Sequence, residues 1–312
     1  MKKQTLLKLI LCVGLCAATV SDLSAQPGGA APRGAGRGGF GGRGPQPVPG
    51  PPAAVPPEVA IPRPTPEEVV KMNAELKKFI NTSSEQKLLQ KYESLLTVQV
   101  PRDNVCIRPV QTFVRTTERH DGFVATAKTG DFDILFDGDS ITDGWQTTGA
   151  EMFKKHFADL KVANFGVGGD TTQGVLWGLQ NGEGQGHKPK AVMLMIGTNN
   201  TGSNSGEEIA EGVGAIVLQM RKDFPDAKIM LLAIFPRGTG PSDTNRKKNE
   251  VANKIIAKLH DGKNVFFTDI NPKFLKDDGS LIGFGNDNLH PNGEGYDIWA
   301  QAVLPTLKSW IN

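Results

Sequence analysis

The chain has 312 residues, with 35 Lys and Arg against 33 Asp and Glu, a formal charge of +2. That balance excludes strong steering toward a polyanion or an acidic membrane surface. Of its three cysteines, Cys12 and Cys16 lie in the first 25 residues and only Cys106 lies beyond. An intrachain disulfide in the remainder is therefore excluded, and a lone cysteine reads first as a small buried hydrophobe.

The N-terminus has Lys2, Lys3 and Lys8, an apolar stretch from Leu9 to Val20, and then Leu23-Ser24-Ala25. This order reads as a secretory signal peptide over 1–25, cleaved after Ala25, with the product secreted or periplasmic. The apolar stretch is well short of the ~20 residues a spanning helix needs, so no stable membrane insertion is expected. Residues 26–65 are rich in Gly, Pro and Ala and read as a disordered linker. Arg33 to Gly44 resembles an arginine-glycine tail of the RNA-binding kind, but a flexible spacer is the better reading and no nucleic-acid partner is expected.

Thr65-Pro66-Glu67-Glu68 has the form of a helix start, with a Thr cap, Pro at the first position and acids in the first turn. Val69, Met72, Leu76 and Ile80 continue an apolar stripe at helical spacing, and Leu88, Leu89, Tyr92, Leu95 and Leu96 suggest a second helix. Residues 97–118 are irregular. A short helix near 119–128 closes a helical N-terminal extension over 66–130. From residue 131 strands and helices alternate. Near-continuous apolar runs predict strands at 133–137, 162–165, 190–197, 227–235 and 264–269, and helical periodicity falls near 148–158, 206–223, 244–259 and 293–310. The pattern is that of an α/β domain, a parallel sheet covered on both faces.

Four motifs follow strands or precede the last helix, and parallel strands would bring them to one rim. Phe136-Asp137-Gly138-Asp139-Ser140 puts a serine where a strand gives way to a helix. Gly166-Val167-Gly168-Gly169-Asp170 lacks both the G-x-G-x-x-G spacing and the Lys-Ser/Thr of phosphate-binding loops. Gly197-Thr198-Asn199-Asn200 and Asp287-Asn288-Leu289-His290 complete the set. Each could be a plain turn. Together they supply the parts of acyl transfer. Ser140 is the nucleophile, His290 the base, and Asp287, three residues before it on one turn, orients the imidazole. The N–H groups of Ser140 and Gly169 and the side-chain amide of Asn199 form an oxyanion hole.

On these residues the chain resembles the GDSL-type hydrolases of the SGNH superfamily. Gly138-Asp139-Ser140 matches the first block, Gly169 the second, Asn199 the third, and Asp287 with His290 the fifth, within a domain over 131–312. The stretches from Asn164 to Thr172, Val175-Leu176-Trp177, Gly197 to Asn200 and Pro236-Arg237-Gly238 are similar to the catalytic subunits of platelet-activating-factor acetylhydrolase Ib and their esterase relatives. The resemblance implies a three-layer α/β/α flavodoxin-like fold with a five-stranded parallel sheet in the order 2-1-3-4-5, no metal and no cofactor. It implies a substrate pocket lined by Ile141, Thr198 and Leu289; Arg237 is the further substrate-contact candidate, with a structural ion pair as its alternative. It also implies a small acyl-ester or acetylated-saccharide substrate, and it allows a homodimer, which nothing in the patterning demands. The activity expected is a short-chain, acetyl-type esterase. A phospholipid or aryl esterase and a non-catalytic carbohydrate-binding module are the alternatives.

Overall fold

The computed structural model describes residues 47–100 and 102–312, so the leader expected over 1–25 and the first part of the linker lie outside the described residues. The described chain falls into two compact units, one of residues 62–103 and one of residues 47–61 together with Asn104–Asn312.

In the smaller unit, helix α1 spans Pro66–Thr82. Thr65 Oγ accepts from the Glu68 N–H while the Glu68 carboxylate accepts from the Thr65 N–H, a reciprocal cap that satisfies two otherwise unpaired donors. Val69, Leu76 and Ile80 form its buried stripe. The expected second helix is instead two short ones, α2 (Gln86–Lys91) and α3 (Glu93–Leu96), broken at Tyr92. Neither has a buried residue. Leu88 and Leu95 are exposed, so the apolar spacing there does not mark a packed face.

The larger unit is a five-stranded parallel sheet in the order β2-β1-β3-β4-β5. Its strands are β1 (Ile134–Gly138), β2 (Val162–Asn164), β3 (Ala191–Met195), β4 (Lys228–Leu232) and β5 (Val265–Thr268). β1 and β3 are buried along their whole length, as the continuous apolar runs require. Helix α4 (Thr117–Thr129) precedes β1. After β1 come α5 (Ser140–Asp143), α6 (Ala150–Phe157), α7 (Thr172–Gly178), α8 (Gly206–Asp223), α9 (Thr244–Ile256) and α10 (Gly293–Ile311). α6 packs with α10, while α8 packs with both α7 and α9. These two groups are the outer layers of a three-layer α/β/α fold. Under α10 lies an aromatic cluster in which Trp145 meets Tyr296 and Trp299 at ring-centroid distances of 4.6 and 4.9 Å.

Two boundaries differ from the sequence-based reading. Residues 47–61, expected to belong to a disordered linker, lie within the larger unit. The Gly50 N–H donates to the Pro109 carbonyl at 2.7 Å, the Ala53 N–H to the Ile107 carbonyl at 2.8 Å, and Val59 is buried. Prolines leave few N–H groups in this stretch, and tertiary pairing satisfies these two, which composition does not display. The unit also resumes at Asn104 rather than 131. The Asn104 side-chain amide donates to the Glu208 carbonyl and the Glu211 carboxylate at 2.9 and 2.7 Å, which ties the segment before α4 to α8.

Candidate active site

Ser140 is the first residue of α5, directly after β1. Asp139 caps that short helix, its Oδ1 accepting from the Ile141 N–H at 3.0 Å. The turn needs Gly138: a Cβ there would lie 2.2 Å from the Met195 carbonyl oxygen and 2.4 Å from Thr142 Oγ1. Gly138 pairs with Met195 of β3, and its carbonyl accepts from the Val167 N–H at 3.1 Å. The sheet register thus gathers the loops after β1, β2 and β3 at one rim.

Ser140 Oγ lies 2.8 Å from His290 Nε2, and His290 Nδ1 lies 2.7 Å from Asp287 Oδ2. A carboxylate can only accept, so Nδ1 carries the hydrogen and Nε2 is left to accept from the serine hydroxyl. The pairing is not the helical one expected from the three-residue spacing. Asp287 and His290 lie in a turn that ends before α10 begins at Gly293. Asp287 Oδ1 accepts from the N–H groups of Leu289 and His290, both at 3.0 Å. Asn288 takes φ +52°, a left-handed conformation that Asn tolerates better than most residues. Burial pulls the Asp287 carboxyl upward, but the hydrogen bonds from the imidazole and these two amides win and hold it at about 2. The Gly238 N–H donates to the Asn288 carbonyl at 2.8 Å and anchors the turn to the loop after β4.

Gly169 is exposed, with φ +78°, so a side chain there would be strained even though its Cβ would meet only Val114 at 3.5 Å. Its N–H has no acceptor among the described residues. The Ser140 N–H, at the start of α5, has no intrahelical acceptor. Asn199, in the turn after β3, donates one amide hydrogen to the Asp170 carbonyl at 2.8 Å, which leaves its other hydrogen available. The strand order and register thus bring these three donors to the same rim as the serine hydroxyl. A negatively charged oxygen would be stabilised there.

Behind this loop is a buried charge network that sequence reasoning did not single out. Arg115 is fully buried. Its Nε donates to Asp170 Oδ2 at 2.8 Å and its Nη1 to Glu183 Oε2 at 2.5 Å. Asp170 Oδ1 accepts from Thr112 Oγ at 2.8 Å, and Glu183 Oε1 lies 2.7 Å from His120 Nδ1. Burial works against the Arg115 guanidinium, but Asp170 and Glu183 outweigh it and raise its pKa above the ordinary value. Nearby, burial pushes the Asp137 carboxyl up to about 8 against the pull of Arg115, and pushes Asp139 up to about 7. Arg115 stands in an irregular stretch with no periodicity. The only signal that could have found it is the Thr116 cap of α4 directly after it, which fixes the local chain direction.

The four pocket candidates separate. Ile141 and Thr198 are each 1% exposed, and Ile141 belongs to the hydrophobic core. They flank the site from below rather than offering an open wall. Leu289 and Arg237 keep partial exposure. Arg237 Nη1 donates to the Thr198 carbonyl and Thr198 Oγ1, both at 3.1 Å, so it braces the residue before Asn199. Its contacts there are hydrogen bonds to a carbonyl and to hydroxyls, with no ion pair among the described residues. Asn200 is buried; its Oδ1 accepts from the Thr172 N–H at 3.1 Å and its Nδ2 donates to Gln173 Oε1 at 2.8 Å, at the start of α7.

Residues 136–298 match the GDSL-like Lipase/Acylhydrolase family. The human platelet-activating factor acetylhydrolase IB subunit alpha2 is 38% identical over 183 residues, covering 58% of this chain and 79% of that protein. The rat subunit alpha1 is 35% identical over 202 residues, covering 64% and 86%. A candidate acylhydrolase from Bacteroides fragilis has the same fold, with a TM-score of 0.52 at 17% identity over 65% of this chain and 100% of that one.

Proposed function

The chain belongs to the GDSL-like lipase/acylhydrolase family and is a carboxylic ester hydrolase; from that premise we propose that it is an exported serine esterase that removes short acyl groups, acetyl first, from the hydroxyls of carbohydrates. The observation that carries this reading is the hydrogen-bonded chain Ser140–His290–Asp287, at 2.8 and 2.7 Å, beside the unpaired N–H of Gly169. Ser140 Oγ attacks the ester carbonyl as His290 Nε2 takes its proton. The oxyanion forms against the N–H groups of Ser140 and Gly169 and the free hydrogen of Asn199. His290 returns the proton to the departing alkoxide, leaving an acyl-serine. A water, deprotonated by His290, attacks that ester, and the proton then passes back to Ser140 Oγ. Asp287 keeps the imidazole oriented and stabilises its cation throughout.

The acetyl preference is supported by the name of the curated relatives. Export is supported by the order of basic, apolar and small residues over 1–25. The test is hydrolysis of p-nitrophenyl acetate against the octanoate ester, followed by acetate release from acetylated xylan, glucomannan and chitin oligomers. Acetate should be preferred in the first assay, and Ser140→Ala should abolish both activities. Retained activity in Ser140→Ala would sink the mechanism, and a preference for octanoate would move the substrate to a lipid or aryl ester.

A further inference from the structure

Phe113 is the most exposed large apolar side chain among the described residues, at 91%, yet it stands in a stretch that is otherwise pinned. The Arg115 N–H donates to the Thr112 carbonyl at 3.1 Å, which closes a four-residue turn with Phe113 and Val114 at its tip. Gln111 Nε2 donates to the Arg115 carbonyl at 3.1 Å across the base of the turn. Both ends hold the same carboxylate: Thr112 Oγ1 donates to Asp170 Oδ1 and Arg115 Nε to Asp170 Oδ2, each at 2.8 Å. Arg115 and Asp170 are fully buried, so the base is fixed while the tip is bare. A single exposed apolar side chain is ordinary on a protein surface; this one is set apart by where the turn holds it.

The turn lies against the candidate active site. Asp170 directly follows Gly169, and its carbonyl accepts from Asn199 Nδ2 at 2.8 Å. A Cβ on Gly169 would lie 3.5 Å from Val114 Cγ1, so Val114 packs beside the Gly169 backbone. The Gly168 N–H donates at 3.2 Å to Asp143 Oδ2, on the short helix α5 that begins with Ser140. Phe113 thus has a neighbour on each side in contact with the 169–170 loop, and adjacent Cα atoms are only about 3.8 Å apart. Residue 113 precedes the family match, which starts at 136, so the family pattern does not supply it.

We propose that Phe113 is a specificity-determining residue whose ring stacks on the flat face of a ring in the leaving alcohol, a pyranose or an aryl group. The assignment to the alcohol rests on the short-acyl reading above. An acetyl group extends only one C–C bond, about 1.5 Å, beyond the reacting carbon, so the alcohol is the part long enough to reach the tip. Phe carries no hydrogen-bonding group, so the contact selects a flat apolar face rather than a pattern of hydroxyls. Because Asp170 holds the turn, the backbone that carries the ring is placed before substrate arrives, which lowers the ordering cost of the contact.

The test compares Phe113→Ala and Phe113→Tyr with wild type on p-nitrophenyl acetate, an acetylated methyl xyloside and ring-free ethyl acetate. In Phe113→Ala the kcat/KM ratio of a ring-bearing acetate to ethyl acetate should fall about 3- to 10-fold, through KM, since stacking holds the ground state and the transition state alike. Phe113→Tyr keeps a ring and should restore the ratio. A fall with the xyloside identifies a pyranose, and a fall with the p-nitrophenyl ester alone identifies an aryl group. A ratio that moves less than about 3-fold for both ring-bearing esters, or a loss through kcat shared by all three, overturns the contact. So does a loss that follows acyl length at constant alcohol, read from p-nitrophenyl acetate, butyrate and octanoate. If octanoates are the preferred esters, the short-acyl reading fails on its own, and the same ratio measured on octanoates still decides Phe113. Circular dichroism and melting confirm that both variants fold.

Discussion

Replacing Arg115 by Met is the most demanding perturbation the structure offers, because it removes charge while keeping most of the buried volume. Arg115, Asp170 and Glu183 have side chains no more than 1% exposed, and the guanidinium is the cation that both carboxylates share. Deleting one partner of a buried ion pair leaves an uncompensated charge and costs about 3–5 kcal/mol. Here two carboxylates lose their partner, although Thr112 still bonds Asp170 and His120 still faces Glu183, so the same range is a fair expectation. For a unit of this size each kcal/mol moves the melting temperature by about 2–4 °C, which predicts a loss of roughly 6–20 °C at pH 7. The sign of the pH response is also fixed. Without Arg115 the two carboxylates are held in low dielectric with no cation, and protonation discharges them. The deficit of the variant against wild type should therefore shrink as the pH falls into the ordinary carboxylate range. Activity should fall as well, because the Asp170 carbonyl positions Asn199 Nδ2 and Asp170 directly follows Gly169. The assays are differential scanning calorimetry from pH 4 to 8 and turnover of p-nitrophenyl acetate well below the melting point. A melting change under about 3 °C, or a deficit that does not vary with pH, would refute the reasoning.

Three further outcomes are expected. Asn199→Ala should lower kcat by about 10²–10³ with a smaller effect on KM, since the amide acts on charge that develops in the transition state; an unchanged kcat removes it from the oxyanion hole. Asp139→Asn should gain stability relative to wild type as the pH rises from about 4 to about 7 and hold that gain above it. The wild-type carboxyl, pushed up to about 7 by burial, keeps a proton that the unfolded chain has released, so wild type loses stability across this window. Parallel melting curves at all pH values would contradict that. Tyr296→Phe should cost about 1–3 kcal/mol, because the buried hydroxyl donates to the Ile141 carbonyl at 2.8 Å and its loss leaves that oxygen without this donor; urea unfolding measures it.

The central strands β1, β3 and β4 were legible because burial on both faces leaves near-continuous apolar runs, broken only by Asp137 in β1 and Lys228 at the start of β4. Where the runs overshot, a specific group ends the sheet. The run at 190–197 stops pairing after Met195, and Gly197 at φ +132° turns the chain into the Asn199 loop. The run at 227–235 continues as buried chain after β4 ends at Leu232. There the Asn253 side chain replaces a strand, accepting from the Ile234 N–H at 2.7 Å and donating to its carbonyl at 2.9 Å. Such a substitution has no local pattern. Helix α7 escaped because seven residues including Gly174 and Gly178 make too few turns for a period to show. Gly174 packs so closely on Asp170 that a Cβ would lie 1.9 Å from Oδ1, a constraint visible only in three dimensions. Arg115 escaped for the opposite reason, since charge in an irregular stretch reads as solvated surface until the fold brings Asp170 and Glu183 to it.

The two halves of the site are therefore held by different physics. The side chains of His290 and Asp287 are 41% and 51% exposed, too open for a low-dielectric interior to strengthen their contact. Their order comes from the chain itself: two amides on Asp287 Oδ1, an Asn at positive φ between the two residues, and one backbone hydrogen bond to the loop after β4. The half around Gly169 has the reverse arrangement, an exposed amide backed by charges that are wholly buried. Substitutions behind Gly169 should thus act on fold and turnover together. Substitutions in the 286–290 turn should alter turnover while leaving the sheet and its helices intact.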